Sequence, residues 1–488
     1  MQATYDVAIV GGGPAGMAAA EILTAAGLAI VLIDEQQRLG GQILRQPPAE
    51  FSPSDWLSGL GYAAAKSLLY RAEQLSGAER LFGTSVVGLF RRKTGEGFTL
   101  WLASAPGVRR LAARRVLLAP GCYDMPAPLP GWTLPGVMTL GGIQSLLKAQ
   151  YFIPGDSILL AGTHPLQLIL AQQIVAAGGR LKAVLFAQQR RAVWRLLQDP
   201  ATALANARPL LDAAAALRAL RRAGVAVRFG RTVAAISGTD RVQAAQIAQV
   251  SSGGQLVAGP RETIACDLVG LGFGFLPQSE LARFAGAQSV WAAPCGGWRV
   301  CHDDWMRSSV TDLSVAGEIT GVAGAAVAML EGALAAEGIL LDCGKRTLVE
   351  ARRHCRSRRR RLAVLTRFAR LLAELSSAAT LLPQLATPDT ILCRCENIRF
   401  SALDRAAAAE LAITDANATK LVTRAGMGLC QGRNCENSTL ARLAQAGGQA
   451  PAGLAGFTPR FPLKPVPIID LIDMEDEAEV GYSHSKSE

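Results

Sequence analysis

Tyr5–Val10 is an apolar run of strand length that ends directly on Gly11-Gly-Gly-Pro-Ala-Gly16. A helical stretch, Met17–Ala26, follows, and a second strand, Leu28–Ile33, closes on Asp34 and Glu35. This order restricts the fold more than any other part of the chain. Gly11 permits a tight turn, Gly13 lets the backbone approach a pyrophosphate, and Gly16 lets helix pack on strand. Pro14 and Ala15 open the helix whose positive end receives the phosphates. Asp34, 18 residues after Gly16, stands where a carboxylate accepts from ribose hydroxyls. The opening segment reads as a dinucleotide cradle.

NAD and FAD share such a cradle, so the choice rests on other segments. Leu39-Gly40-Gly41-Gln42 follows the second strand, and a distant strand ends at Gly317-Glu318. A helix then runs from Gly324 and Ala325 to Ala336. An acid in that place can hold a ribityl hydroxyl, and the helix start favours negative charge on a reduced flavin. The order resembles two-dinucleotide flavoproteins of the thioredoxin reductase and disulfide oxidoreductase type, over about residues 4–340. The resemblance implies FAD, with Gly121 at a further contact. It departs at Glu318, where an Asp is usual, and at Ala119-Pro120-Gly121, where Ala-Thr-Gly is common.

Between the flavin segments lies another strand, turn and helix: Ser157–Gly162, then Thr163 to Gln167, then Leu168–Ala177, with a strand at Leu181–Phe186. In the resembling family this is the NAD(P)H domain, with glycines where His164 and Gln167 stand. A Cβ at 164 blocks the approach of pyrophosphate, and Gln167 spoils the helix–strand contact. The strand ends in Ala187-Gln188-Gln189, without a ribose-binding acid. His164 reads as filling a vacated pocket. No Cys-x-x-Cys or Cys-x4-Cys pair precedes residue 266. Cys122 reads as packing, Cys295 and Cys301 have an untypical redox spacing, and Cys266, Cys343 and Cys355 read as isolated thiols.

The last cysteines are different. Cys393-Arg-Cys395 and Cys430-x4-Cys435 are separated by 34 residues, with no histidine nearby. Four thiolates suit a [2Fe–2S] cluster or tetrahedral zinc. Cys-x-Cys is cramped for one tetrahedral ion, and Gly426, Gly428 and Gly432 leave amides free to point at sulfur. Cys435 also opens a helix to about Ala446, whose dipole favours a negative cluster. The segment resembles the bacterioferritin-associated ferredoxin fold.

The net charge of +11 invites a nucleic-acid reading, but 11 basic residues and one acid lie in Lys345–Arg370. That segment carries +10 and leaves +1 for the remainder, which excludes a general polyanion-binding surface. Arg358–Arg361 head an apolar stripe, Leu362, Leu365, Phe368, Leu372 and Leu375, at helical spacing. The stripe is expected to dock a partner; a linker packed on its own domain and a membrane-surface or RNA-binding helix stay open. Asp470, Asp473, Glu475, Asp476, Glu477 and Glu479 give an acidic end. A strand at Tyr5 leaves no room for a signal peptide, and no apolar run reaches a spanning length. A cytoplasmic protein is expected, with peripheral attachment at the inner membrane compatible.

The expected fold class is α/β, with two Rossmann-like domains and a small helical [2Fe–2S] domain. The FAD domain takes 1–125 and 266–342, the degenerate NAD(P)-like domain 126–265, a basic helical linker 343–388, the cysteine domain 389–447 and a tail 448–488. This whole resembles the large flavoprotein subunits of bacterial opine oxidases, hydrogen cyanide synthase and hydroxyproline/proline dehydrogenase complexes. The matching stretches include Pro130–Gly136 and Cys266–Gly274. The resemblance implies that a separate, smaller FAD-dependent subunit oxidises an amino acid or secondary amine, a further small subunit being compatible. This chain then passes electrons onward to a quinone or carrier, with cofactor ligands and no catalytic acid or base. The alternatives are an independent NAD(P)H-dependent reductase and a scaffold with structural zinc.

Overall fold

The computed structural model describes residues 4–51, 63–93, 95–105, 107–192, 194, 199–292, 296–409, 413 and 415–472. Cys295 and the acids from Asp473 onward lie outside the described residues.

The first sheet runs Ala78–Leu81, Ile30–Ile33, Thr4–Val10 and Gly107–Leu118, all parallel. Phe98–Ser104 and Ser85–Arg91 extend it as an antiparallel meander, and Leu313–Val315 pairs parallel to Gly107–Leu118. Ile30–Ile33 is buried along its whole length, as parallel strands covered on both faces are. Helices Pro14–Ala25 and Ala325–Asp342 cover one face, their apolar residues merging into a single core.

The second sheet is fully parallel, in the order Ala226–Phe229, Leu181–Phe186, Ile158–Gly162, Leu268–Gly272, Val137–Thr139. The expected boundary at 266 is thereby moved. Leu268–Gly272 is buried throughout between Ile158–Gly162 and Val137–Thr139, and the chain returns to the flavin side only at Phe275–Pro277. That short strand pairs antiparallel with Cys122–Asp124, so both crossings between the domains run side by side.

The arginine-rich helix spans Leu348–Leu375 and starts on a capping box between Thr347 and Glu350. Its stripe turns toward its own chain. Cys355 and Leu362 join the flavin-domain core, and Phe368 is buried. Its C-terminal carbonyl at Leu375 accepts from Gln188 of the second domain. Leu362 and Phe368 of the stripe are thus covered within this chain, while Leu365, Leu372 and Leu375 are half-buried. The expected tail also begins later than 448. Phe457 packs in the cysteine-domain core, Phe461 sits among Phe90 and Trp101, and Leu463 is buried on the first sheet. Residues 448–472 thus strap the cysteine domain to the flavin domain through apolar side chains. Among the described residues no helix is long and apolar enough to cross a membrane.

Candidate flavin and cysteine sites

At the first turn a Cβ on Gly11 would meet the Ala119 carbonyl oxygen at 2.1 Å, and one on Gly16 the Gly11 carbonyl oxygen at 1.9 Å. Neither position has room for a side chain. Gly13 differs: its nearest obstacle is the Gly41 Cα at 3.8 Å, so this face of the turn is open to a ligand. Helix Pro14–Ala25 has no side-chain cap and no acid in its first turn, leaving its N-terminal amides for an anion. Gly41 lies against Gly13, and a Cβ on Gly317 would touch the Ala15 Cβ at 3.1 Å, so the segments from 39 and 317 close on the same turn. Gly121 and Gly324, both at positive φ, face open space. These residues leave room for FAD, the Gly11–Gly16 turn for its pyrophosphate and the segment at Gly317–Gly324 for its flavin side.

The acids behave less uniformly. Asp34 accepts from the Gly12 amide at 2.6 Å and the Gln36 amide at 2.7 Å, which orients it at the strand end. Burial raises its pKa. Glu35 points away and pairs with Lys464 of the C-terminal strap, and Gln42 accepts from Arg45. Glu318 turns back on the loop ahead of its helix, accepting from the amides of Ala323 at 3.2 Å and Gly324 at 2.8 Å. Burial lifts its pKa to about 7. Beneath it Glu331, which sequence reasoning missed, accepts from the Gly317 amide and the Thr320 hydroxyl, and burial pushes it to about 7 as well. Its signal was an acid inside the apolar run Ala325–Asp342.

In the second turn Gly162 is required, since a Cβ would meet the Gly272 carbonyl oxygen at 2.0 Å. His164 packs edge-on against Phe275 at 4.9 Å, and its Nδ1 accepts from the Leu166 amide. Burial lowers its pKa to about 4, so the ring is neutral. Gln167 is fully buried, and neither polar atom of its side-chain amide has a hydrogen-bond partner among the described residues.

The four late cysteines come together. Cys393 ends the strand Ile391–Cys393, which pairs with Ile398–Arg399, and Cys395 lies in the connecting turn. Cys430 and Cys435 frame a loop ahead of helix Glu436–Ala446. Cys393 neighbours Cys435 and Cys395 neighbours Cys430, each pair close enough for its thiols to perturb one another. The Cys435 thiol, followed by the amides of Gly426, Glu396 and Cys395, brings Cys393 down to about 6. The amides of Asn434 and Gly432 point at Cys430, although burial raises that thiol. Gly428 has another purpose: a Cβ there would meet the Cys395 Cβ at 2.4 Å. Among the described residues no group of three or more His, Cys, Asp or Glu side chains is arranged to hold a metal ion.

Among the described residues, two ion pairs join the cysteine domain to the flavin domain. Arg283 pairs with Glu436 at 3.1 Å and donates to the Phe457 carbonyl, while Arg433 lies 3.7 Å from Glu280. Trp132 also donates to the Ile391 carbonyl at 2.7 Å.

Comparison with known proteins agrees with this architecture. Residues 5–332 match the family model described as pyridine nucleotide-disulphide oxidoreductase. An opine oxidase subunit of Rhizobium meliloti is 35% identical over 481 residues, covering 96% of this chain and 99% of that protein. Hydrogen cyanide synthase subunit HcnB of Pseudomonas protegens is 32% identical over 461 residues, covering 94% and 96%. The crystal structure of L-proline dehydrogenase from P. horikoshii superposes with a TM-score of 0.65 at 19% identity, covering 96% of this chain and 79% of that one. The chain therefore belongs to the pyridine nucleotide-disulphide oxidoreductase family, groups with the opine oxidase and HcnB subunits, and is an FAD-dependent oxidoreductase.

Proposed function

We propose that this chain is the FAD- and [2Fe–2S]-carrying electron-transfer subunit of a heteromeric dehydrogenase whose smaller flavoprotein subunit oxidises an amino acid or secondary amine. The observation that carries the reading is the gathering of Cys393, Cys395, Cys430 and Cys435 into two sulfur pairs, each with backbone amides directed at a sulfur. Four cysteines shared between two irons match such pairing, and amides aimed at sulfur are a usual means of tuning such a centre. Bound FAD accepts two electrons and an iron–sulfur centre accepts one, so a chain holding both converts between the two. The residues that would hold FAD are Gly11, Gly13, Pro14, Ala15, Gly16, Asp34, Gly41, Gly121, Gly317 and Gly324, with Glu318 fixing the loop beside it. The amine substrate and the cytoplasmic location belong to this proposal. The amine chemistry is supported by relatives named as subunits of opine oxidase and hydrogen cyanide synthase.

Purified protein is expected to be yellow-brown, to release FAD on denaturation, and to contain iron, acid-labile sulfide and a reducible EPR signal. Stoichiometric zinc without iron would support the scaffold alternative and overturn the cluster. Co-expression with a small FAD-dependent amine-oxidising subunit should give a stable complex that reduces a dye with an imino or amino acid. Full-rate amine oxidation by the isolated chain refutes the division of labour.

A further inference from the structure

Tyr123 stands in a strand of three residues, each tied to a different part of the molecule. Cys122 follows Gly121 and lies within the field of Glu318, on the flavin side. Asp124 accepts from Thr139 and the Gly141 amide, fixing the start of helix Leu140–Gln150 in the second domain. Tyr123, between them, accepts a hydrogen bond at 2.8 Å from the Nε of Arg433, inside the Cys430–Cys435 loop. The other arms of that guanidinium reach the Cys430 carbonyl at 3.1 Å and the Leu463 carbonyl at 3.0 Å. One side chain thus holds the flavin-side strand, the cysteine loop and the C-terminal strap. Its carboxylate partner Glu280 meets it at Nε, while Nη1 stays on the Cys430 carbonyl. Nearby, Arg283 pairs with Glu436 and Lys464 with Glu35.

We propose that Arg433 is a positioning residue for electron transfer: it latches the cysteine loop to Tyr123 and places a permanent positive charge beside Cys430. This rests on reading the four cysteines as a [2Fe–2S] site. A guanidinium stays charged at any working pH and offers several donors in one plane, which three converging acceptors require. A fixed cation beside a centre that gains negative charge on reduction favours the reduced form. Arg433 is not one of the four cysteine ligands, so its effect can be read in protein that still holds iron.

The test uses the whole purified chain as wild type, Arg433→Met, Arg433→Lys and Tyr123→Phe. Iron and sulfide analysis of the wild type comes first, and their absence overturns the cluster reading together with this proposal. With iron present, an EPR-monitored redox titration reads the charge. At the potential where half of the wild-type centres are reduced, Arg433→Met should show about a tenfold lower ratio of reduced to oxidised, equivalent to about 59 mV for one electron. Arg433→Lys, which keeps the charge, should stay within about threefold. Tyr123→Phe keeps the charge and removes one latch bond; its amides at 428–434 should exchange hydrogen about tenfold faster. An unchanged ratio in iron-loaded Arg433→Met overturns the electrostatic role, and unchanged exchange in Tyr123→Phe overturns the latch. Should Arg433→Met hold no iron, Arg433→Lys decides: a ratio within threefold of wild type upholds the charge, and a tenfold change refutes it.

Discussion

Glu331→Gln is expected to stabilise the flavin-free protein at alkaline pH. The residue is 7% exposed in the core of helix Ala325–Asp342, and one of its carboxylate oxygens accepts from both the Gly317 amide and the Thr320 hydroxyl. Burial raises its pKa from 4.5 to about 7, against the lowering by those two bonds. Because the folded-state value lies above the unfolded one, the folded chain holds more protons between these limits, and stability falls as pH rises through the window. At about 1.4 kcal/mol for each factor of ten, keeping this group ionised costs about 3 kcal/mol by pH 8. The substituted glutamine is nearly isosteric, and its amide oxygen can accept both bonds without carrying charge. Urea midpoints followed by tryptophan fluorescence at pH 5 and pH 8 provide the assay. Glu331 alone should account for a loss of about 2–3 kcal/mol between the two in wild type, Glu318 adding its own share in the same window, and the variant should lack only the Glu331 share. Parallel pH profiles for the two proteins would falsify the assignment of a strained carboxylate at this position.

Three further outcomes follow from the geometry. Gly16→Ala places a methyl 1.9 Å from the Gly11 carbonyl oxygen, so the purified protein should lose FAD, measured by its absorbance after gel filtration. Cys430→Ser or Cys435→Ser should abolish the EPR signal while FAD stays bound, because the two sites draw on separate residues; loss of flavin in either variant contradicts this. NADH and NADPH should bleach the flavin slowly or not at all under anaerobic mixing, since His164 fills the second turn against Phe275 and Gln167 occupies the next helix turn. Rapid saturable bleaching at micromolar nucleotide would instead establish an independent reductase.

Features that depend on local backbone demands were legible in the residues alone. Gly11 and Gly16 admit no side chain, and the order strand, glycine turn, helix, strand has few alternative folds. The same holds for the altered turn at His164 and for the two closely spaced cysteine pairs, whose positions are plain in the residues themselves. Whatever depended on which surfaces meet could be read only from the folded chain. The apolar stripe of the arginine-rich helix has the same spacing whether it serves a partner or its own domain, and only packing shows that Leu362 and Phe368 are covered within this chain. Leu268–Gly272 is an apolar strand in any reading, and only its pairing with Ile158–Gly162 put it in the second sheet. Glu35 and Glu318 stand beside cradle positions, yet long flexible acids take the nearest donors in space, Lys464 for one and the Ala323 and Gly324 amides for the other. Tyr123 and Arg433 are 310 residues apart in sequence, and no local pattern encodes a contact whose partners are joined only when the cysteine domain folds back onto the flavin sheet.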